Sequence, residues 1–504
     1  MVYFREDAGM PVTMASGVEG PLVLTIDIGS SSVRTMLFDV YGHAVAQFGV
    51  REAYELHAGP DGTSVDDPDA ALERVFRCID ELLADAGPLA GAIGAVAIDT
   101  LVSNFIAIDD NGRPLTPLIG YADTRNDADA AHLRQTLDEP LIHQRTGCLL
   151  RTSYWPARLA WLKRTQPDVW RMAARFITLG EYLELRLFGT CRAGLSPASW
   201  TGMLDRTRLV WDTPLLDDLG VEQKQFSPLA NTSDPIHGLR EPFGSRWPTL
   251  RDVPWFPAIG DGAAANIGSG CASPDRVALT VGTTGALRIV RNIVADVPAG
   301  LWCYRVDAQR ALVGGATSEG GNVYAWLRRT LQLPEPQEVE QSLTHMLPDA
   351  HGLTILPLWA GERSPGWAGN AKASITGMTM ATTPIEILRA SLEGVAYRFA
   401  LIAERLLAGT EQAQIVVSGG GLHQSAAWTQ IVADVLGRAL ILSQEPEATS
   451  RGAALLALEA IGAITDVATL PANDGAIIMP NLEHYAVYQG AIERQRQLYD
   501  LLIG

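Results

Sequence analysis

The chain is short of positive charge: 39 Lys and Arg stand against 57 Asp and Glu, a net charge of −18 over 504 residues. A nonspecific grip on nucleic acid depends on Lys and Arg neutralising phosphates, so the composition argues against nucleic-acid partners and implies that any phosphate is bound locally. Cysteine is scarce as well. Cys78, Cys148, Cys191, Cys271 and Cys303 are odd in number and scattered without a C-x-x-C spacing, which speaks against a disulfide framework or zinc site and for a reducing cytoplasm. No apolar run is long enough to cross a bilayer, so no membrane partner is expected. Two well-known phosphate binders are also missing, the G-x-x-x-x-G-K-[ST] loop and a strand-linked G-x-G-x-x-G. Residues 1–19 lack the basic-then-apolar pattern of a signal peptide. They read as a disordered leader, with Met14 as an alternative start.

What remains is the composition of a soluble globular protein, 47% hydrophobic and 19% charged, too long for one core of usual size. The most informative stretch is Asp27-Ile28-Gly29-Ser30-Ser31-Ser32, set between the apolar runs Leu22–Ile26 and Val33–Val40. The pattern predicts a strand, a tight polar turn and a second strand. A carboxylate at the end of the first strand can hold a hydrated Mg²⁺, making Asp27 the metal candidate. Small residues after it let N–H groups and the hydroxyls of Ser30, Ser31 and Ser32 close on phosphate oxygens. The idea recurs at Leu279-Thr280-Val281, Gly282-Thr283-Thr284-Gly285 and Ala286–Val290. One such hairpin is as often an ordinary Ser/Gly turn. Two imply a pair of related domains facing one nucleotide.

Coarse periodicity gives a helix near 70–86, a strand at 93–98 and strand character at 105–109. A mostly helical middle follows, over 153–162 and 171–188. The second α/β half opens near Trp255 with a short strand into Gly260-Asp261-Gly262, where small residues begin a helix. Beyond it lie helices over 320–331, 384–407, 426–436 and 451–461 and a strand at 415–417. A parallel sheet flanked by helices in each half fits this order.

The run Ala373-x-Ile375-x-Gly377-Met378, seven residues, then Glu386-Ile387-x-x-Ala390-Ser391-Leu392-Glu393-Gly394 resembles the C-terminal signature of the FGGY carbohydrate kinases without a mismatch. The resemblance covers the chain from about Leu22 and is nearest the gluconate kinase and xylulose kinase branch. A second family signature is degraded: Arg158 in Ser153-Tyr154-Trp155-Pro156-Ala157-Arg158-Leu159-Ala160-Trp161 replaces an expected Lys on the sugar side.

The resemblance implies an α/β fold of two actin-like (ribonuclease H-like) domains with a catalytic cleft between them. Residues 20–256 would form the sugar side and 257–504 the nucleotide side. It also implies ATP and Mg²⁺ as cofactors, a small sugar as substrate, and leaves a homodimer open. Asp261 matches the catalytic carboxylate, a base for the attacking hydroxyl and a neighbour of the sugar. Thr283, Thr284 and Gly285 would form the second phosphate turn. Gly321 and the loop Ser418-Gly419-Gly420-Gly421, with Gly420, Gly421 and Gln424, would flank adenosine. Ser103, Asn104, Asp123 and Arg125 fall at the family's sugar contacts, with Asp123 alternatively capping the helix through 128–135. Arg363 fits a family motif too, either as a sugar contact or in an ion pair. The segments Ile106–Asp109, Ala122–Arg125 and Gly282–Arg288 resemble gluconate kinases in particular, and Arg125 is then the cation for a sugar acid's carboxylate. Xylulose or another ketose or polyol is the alternative substrate, and an actin-like ATPase without kinase activity the alternative class.

Overall fold

The structure, a computed structural model, describes residues 19–292, 294–410 and 412–504. The leader expected over 1–19 lies outside the described residues except for Glu19. Two sheets organise the chain. The first is built from β1 (Leu22–Ile28), β2 (Ser32–Phe38), β3 (Ala44–Ala53), β4 (Ile93–Thr100) and β5 (Ile259–Gly260), in the order β5-β4-β1-β2-β3. The second contains β6 (Arg276–Val281), β7 (Gly285–Arg291), β8 (Trp302–Arg305), β9 (Ala311–Thr317), β10 (Gln414–Ser418), β11 (Leu440–Ser443) and β12 (Asp474–Ile478), in the order β8-β9-β7-β6-β10-β11-β12.

The two sheets share one topology. In each, a hairpin's first strand pairs antiparallel with its second and parallel with a later strand, β4 beside β1 and β10 beside β6. This is the duplication that the twin hairpins implied, in the actin-like form that the family resemblance implies, and it turns both hairpin tips towards the carboxyl ends of parallel strands, where open α/β sheets bind ligands.

β1 is buried along its whole length because helices cover both faces of the first sheet. On one face lies the helix Pro68–Ala86. Asp67 caps it by accepting from the Ala70 N–H at 2.8 Å, Pro68 opens it, and Ala71, Leu72, Val75, Phe76, Ile79 and Leu82 form its buried stripe. On the other face Ala448–Ala460 crosses Asp261–Gly268. That crossing needs small residues: a Cβ on Gly452 would fall 1.8 Å from the Ala264 carbonyl oxygen. The close approach fixes the start of the second helix, and with it Asp261.

Some expectations shift. Ile259–Gly260, assigned by sequence to the second half, is an edge strand of the first sheet. The stretch 171–188 is not one helix but the end of Pro167–Met172, a strand Arg175–Ile177 and a helix Leu179–Phe188. Thr178 separates the last two as an N-cap, in a capping box with Glu181. No helix among the described residues is long and apolar enough to cross a membrane, and all five cysteines are free and buried.

Candidate active site

Three parallel strands end side by side, and each brings a carboxylate. Asp27 on β1 is in register with Asp99 on β4, and Asp99 in turn with Ile259 on β5, two residues before Asp261. Asp261 is the first residue of its helix, where the macrodipole favours negative charge. Burial nevertheless pushes its pKa up to about 6, against the pull of the Gly262 N–H, which bonds Oδ1 at 2.6 Å, and of nearby Arg288. Such a carboxyl is ionised at neutral pH and close enough to it to accept a proton.

The glycines beside Asp261 do not simply leave room for a sugar. A Cβ on Gly260 would sit 2.9 Å from Trp200 Nε1, and one on Gly262 would sit 3.2 Å from the Trp200 ring and 3.5 Å from Arg288 Nε. The indole already fills that space.

Asp27 is buried and ion-paired with Arg34 at 2.5 Å, and Arg34 also reaches Glu447 at 2.8 Å. Asp99 is fully buried, and neither of its oxygens meets a hydrogen-bond donor among the described residues. Burial first, then the charges of Asp27 and Asp261, raise its pKa well above the usual carboxylate range. These donors fit a hydrated Mg²⁺: Arg34 occupies Oδ2 of Asp27 only, and the Asp99 oxygens are unpaired. Asp99 and Arg34 were not foreseen. An Asp directly after the apolar run Ile93–Ile98, at the end of the strand, is the signal that could have drawn attention to Asp99.

At the first hairpin tip the Gly29 N–H bonds the Ser32 carbonyl at 3.0 Å, and the Tyr54 N–H bonds that of Ser31 at 2.9 Å. Ser30 and Ser31 are exposed there. Ser32 is buried as the first residue of β2. The second tip is closed by Gly282 N–H to the Thr284 carbonyl at 3.0 Å, which leaves the side chains of Thr283 and Thr284 exposed. Gly285 is a packing residue, since a Cβ would lie 2.4 Å from the Phe399 ring.

Two further segments pack on this second turn. The Gly321 N–H bonds the Gly282 carbonyl at 2.8 Å, and the Asn322 N–H bonds that of Thr283 at 3.2 Å. Ser418, in register with Thr280, shares a 2.9 Å hydroxyl bond with it, and a Cβ on Gly421 would meet the Val281 carbonyl at 2.9 Å. The structure thus brings Thr283, Thr284, Gly321, Gly420, Gly421 and Gln424 to one place. Trp326, half-exposed on the helix that Gly321 opens, lies against Trp359 with ring centroids 5.5 Å apart.

The expected sugar contacts are mostly spent on the protein. Ser103 donates to the Trp200 carbonyl at 2.7 Å, and Asn104 donates to the Leu101 carbonyl at 2.6 Å while accepting from the Leu179 N–H at 2.7 Å. Asp123 caps no helix; Asn126 stands at that position, and Asp123 accepts from the Ser64 N–H at 2.9 Å and from Arg125. Arg125 is held by Asp123 at 2.8 Å and stacked over Trp161, 4.7 Å from the ring centroid. It is therefore not a free cation. Arg158 is buried, donating to the Ser103 and Gly120 carbonyls, so it braces this wall.

Donors without acceptors gather instead around Asp261. Arg288 Nε, Trp200 Nε1 and Trp302 Nε1 are buried and have no hydrogen-bond partner among the described residues. Arg288 and Trp302 each pair with Gly314 across neighbouring strands, so both side chains lie on one face of the second sheet. Trp200 and Trp302 stack on Tyr304, with centroids 3.6 and 4.5 Å away. The Tyr304 hydroxyl lies 2.5 Å from that of Tyr154. Arg363 forms no ion pair with any described residue; its charge acts on Arg288, Tyr154 and Tyr304.

Comparison with known proteins agrees with this geometry. A model of the FGGY family of carbohydrate kinases, N-terminal domain, matches residues 22–268, and its C-terminal counterpart matches 277–461. A gluconokinase of Bacillus subtilis (strain 168) is 26% identical over 458 residues, 88% of each chain. A glycerol kinase of Thermus brockianus is 30% identical over 498 residues, 94% of this chain and 98% of that one. Among solved structures, a gluconate kinase from Lactobacillus acidophilus superposes with a TM-score of 0.87 at 26% identity, over 95% of this chain and 98% of that one. A ligand-bound xylulose kinase from the same organism gives 0.88 at 26%, with the same coverage.

Proposed function

Because the chain belongs to the FGGY family of carbohydrate kinases, we propose that it transfers the γ-phosphoryl group of ATP to a hydroxyl of a sugar acid, gluconate first among the candidates. The observation that carries this reading is Asp261, a carboxylate with a pKa near 6, set among unpaired cationic and indole donors. In the proposed step the sugar hydroxyl oxygen bonds to the γ-phosphorus as the bond to the β,γ-bridging oxygen breaks. Asp261 accepts the hydroxyl proton, and ADP leaves with the bridging oxygen.

The exposed hydroxyls of Ser30, Ser31, Thr283 and Thr284 and the N–H groups of both turns would hold the phosphates. Gly321, Gly420, Gly421 and Gln424 would border adenosine. Asp27, through water, with Asp99 beside it, would hold Mg²⁺, which when bound neutralises phosphate charge. Ser103, Asn104, Asp123 and Arg125 form the wall behind the sugar. The equal likeness to a xylulose kinase structure supports a ketose as the second reading. Release of ADP, measured by coupled assay over gluconate, other sugar acids, ketopentoses and polyols, tests both: a clear preference for xylulose would replace the first reading by the second.

A further inference from the structure

We propose that the substrate's carboxylate is held by Arg288 and Arg363, with the Trp200 indole N–H donating to an adjacent substrate oxygen. The proposal rests on the sugar-acid reading above. Its starting point is an imbalance. Around Asp261 the protein offers buried donors that no acceptor among the described residues uses, namely Arg288 Nε, Trp200 Nε1 and Trp302 Nε1. Leaving such groups unsatisfied costs free energy each time, and three in one place call for a ligand rich in acceptors.

The geometry makes the donors convergent. Among the described residues the Arg288 guanidinium has a single side-chain hydrogen bond, a long one of 3.4 Å from Nη1 to Thr280 Oγ1. Across β9, Gly314 has no side chain to separate Arg288 from Trp302; a Cβ there would lie 2.5 Å from the Trp302 ring. Trp200 approaches from the first half and lies against Gly260 and Gly262, on either side of the reacting carboxylate. Arg363 adds a second guanidinium with no ion partner among the described residues: the next residue, Ser364, donates its N–H to the Ala316 carbonyl of β9 at 2.9 Å, two residues from Gly314, and the charge of Arg363 acts on Arg288, Tyr154 and Tyr304.

Two guanidiniums that repel each other, of which only Arg288 has a carboxylate, Asp261, acting on it, are an electrostatically unfavourable arrangement that a bound anion relieves. Planar forks suit a carboxylate held through two parallel bonds. The γ-phosphate is the other oxyanion within the cleft. Its donors are grouped at the exposed hairpin tips, whereas the charge of Arg363 acts on the hydrogen-bonded pair Tyr154 and Tyr304, and the Tyr304 ring stacks on Trp200. That places the clamp on the sugar side of Asp261.

The test is steady-state kinetics of the wild type, Arg363→Met, Arg363→Lys and Arg125→Ala with gluconate and with xylulose, ATP affinity being measured separately as a check on folding. Arg363→Met should lower kcat/KM for gluconate by roughly 10- to 150-fold, the loss of a charge-assisted bond, and that for xylulose by less than about threefold. Arg363→Lys should recover part of the loss. A second readout needs no turnover: gluconate binding, followed by tryptophan fluorescence without nucleotide, should weaken by the same factor in Arg363→Met. Equal losses for both sugars would assign Arg363 to the γ-phosphate or to structure and overturn the proposal, as would a gluconate-selective loss in Arg125→Ala alone. A wild type that phosphorylates xylulose in preference to gluconate defeats the sugar-acid reading itself, on the wild-type data before any variant is compared.

Discussion

Asp27 and Asp99 stand in register on adjacent parallel strands, yet only Asp27 has a cation partner, Arg34 at 2.5 Å. Like charges so placed disfavour each other, and Arg34 stabilises the member that faces the phosphate turn. If Asp27 organises the hydrated metal, Asp27→Asn should raise the Mg²⁺ concentration needed for half-maximal activity by roughly 10- to 100-fold, the usual effect of losing a group that supports a metal site. Sugar binding should be unchanged. The fold should survive, because Glu447 still holds Arg34 at 2.8 Å. An unaltered Mg²⁺ titration would remove Asp27 from the metal site.

Asp261 carries a sharper expectation. Its pKa is raised to about 6, chiefly by burial, so the basic form predominates above pH 6 and is lost below it. The kcat/KM, which reports the free enzyme, should therefore fall about tenfold per pH unit on the acid side of that value. Asp261→Asn should keep ATP binding and lose roughly 10²- to 10⁴-fold in turnover, with the acid limb gone from the residual activity. A variant that kept wild-type turnover would exclude Asp261 as the base.

Glu393 belongs to the most specific motif in the sequence, and the structure gives it no catalytic position. Fully buried, it bonds Arg389 at 2.6 Å, Tyr488 at 3.0 Å and His351 at 3.0 Å, tying the helix Pro384–Leu406 to the C-terminal helix Leu482–Leu502. The hydrogen bond from His351 and the charge of Arg389 hold its pKa below the usual carboxylate value against the effect of burial. Removing one member strands a buried charge, so Glu393→Ala should cost about 3–5 kcal/mol in urea unfolding. The KM values of the folded fraction should not move. A kinetic defect without a stability loss would reverse this assignment.

These residues show what a sequence can display. Local devices were legible: the Asp27–Ser32 turn, its copy at Gly282–Gly285, and the helix near 70–86 each have their cause within a few neighbouring residues. Register was not. Nothing within Ile93–Ile98 says that Asp99 will face Asp27, because the pairing joins residues far apart in the chain. The same limit hid Trp200 and Arg288, which reach Asp261 from different halves. It also made Arg125 look available, since its partner Asp123 lies two residues away but its stacking on Trp161 depends on tertiary packing. The helix expected across 171–188 failed for another reason: apolar residues at 173, 176 and 177 satisfy a short buried strand as well as a helical stripe.

The adenosine loop offers the cleanest separation of folding from binding, because its glycines differ. Gly419 has φ +86°, and a Cβ there would lie 2.6 Å from the Val281 carbonyl oxygen, so any side chain strains the backbone. Gly420 has ordinary helical geometry as the first residue of its short helix, and its nearest neighbour to a Cβ is the Gln424 side chain at 3.5 Å. Gly420→Val should therefore fold normally while placing two methyl groups where adenosine is expected. Overpacking a fitted contact costs about 1–3 kcal/mol, which corresponds to a rise in KM for ATP of roughly 5- to 150-fold with kcat on saturating ATP little changed. Gly419→Val should lower the thermal midpoint and reduce the yield of folded enzyme before any kinetic effect is read. If Gly420→Val binds ATP with wild-type affinity while remaining folded, adenosine does not lie on this loop, and the Trp326–Trp359 pair on the far side of Gly321 becomes the place to look for it.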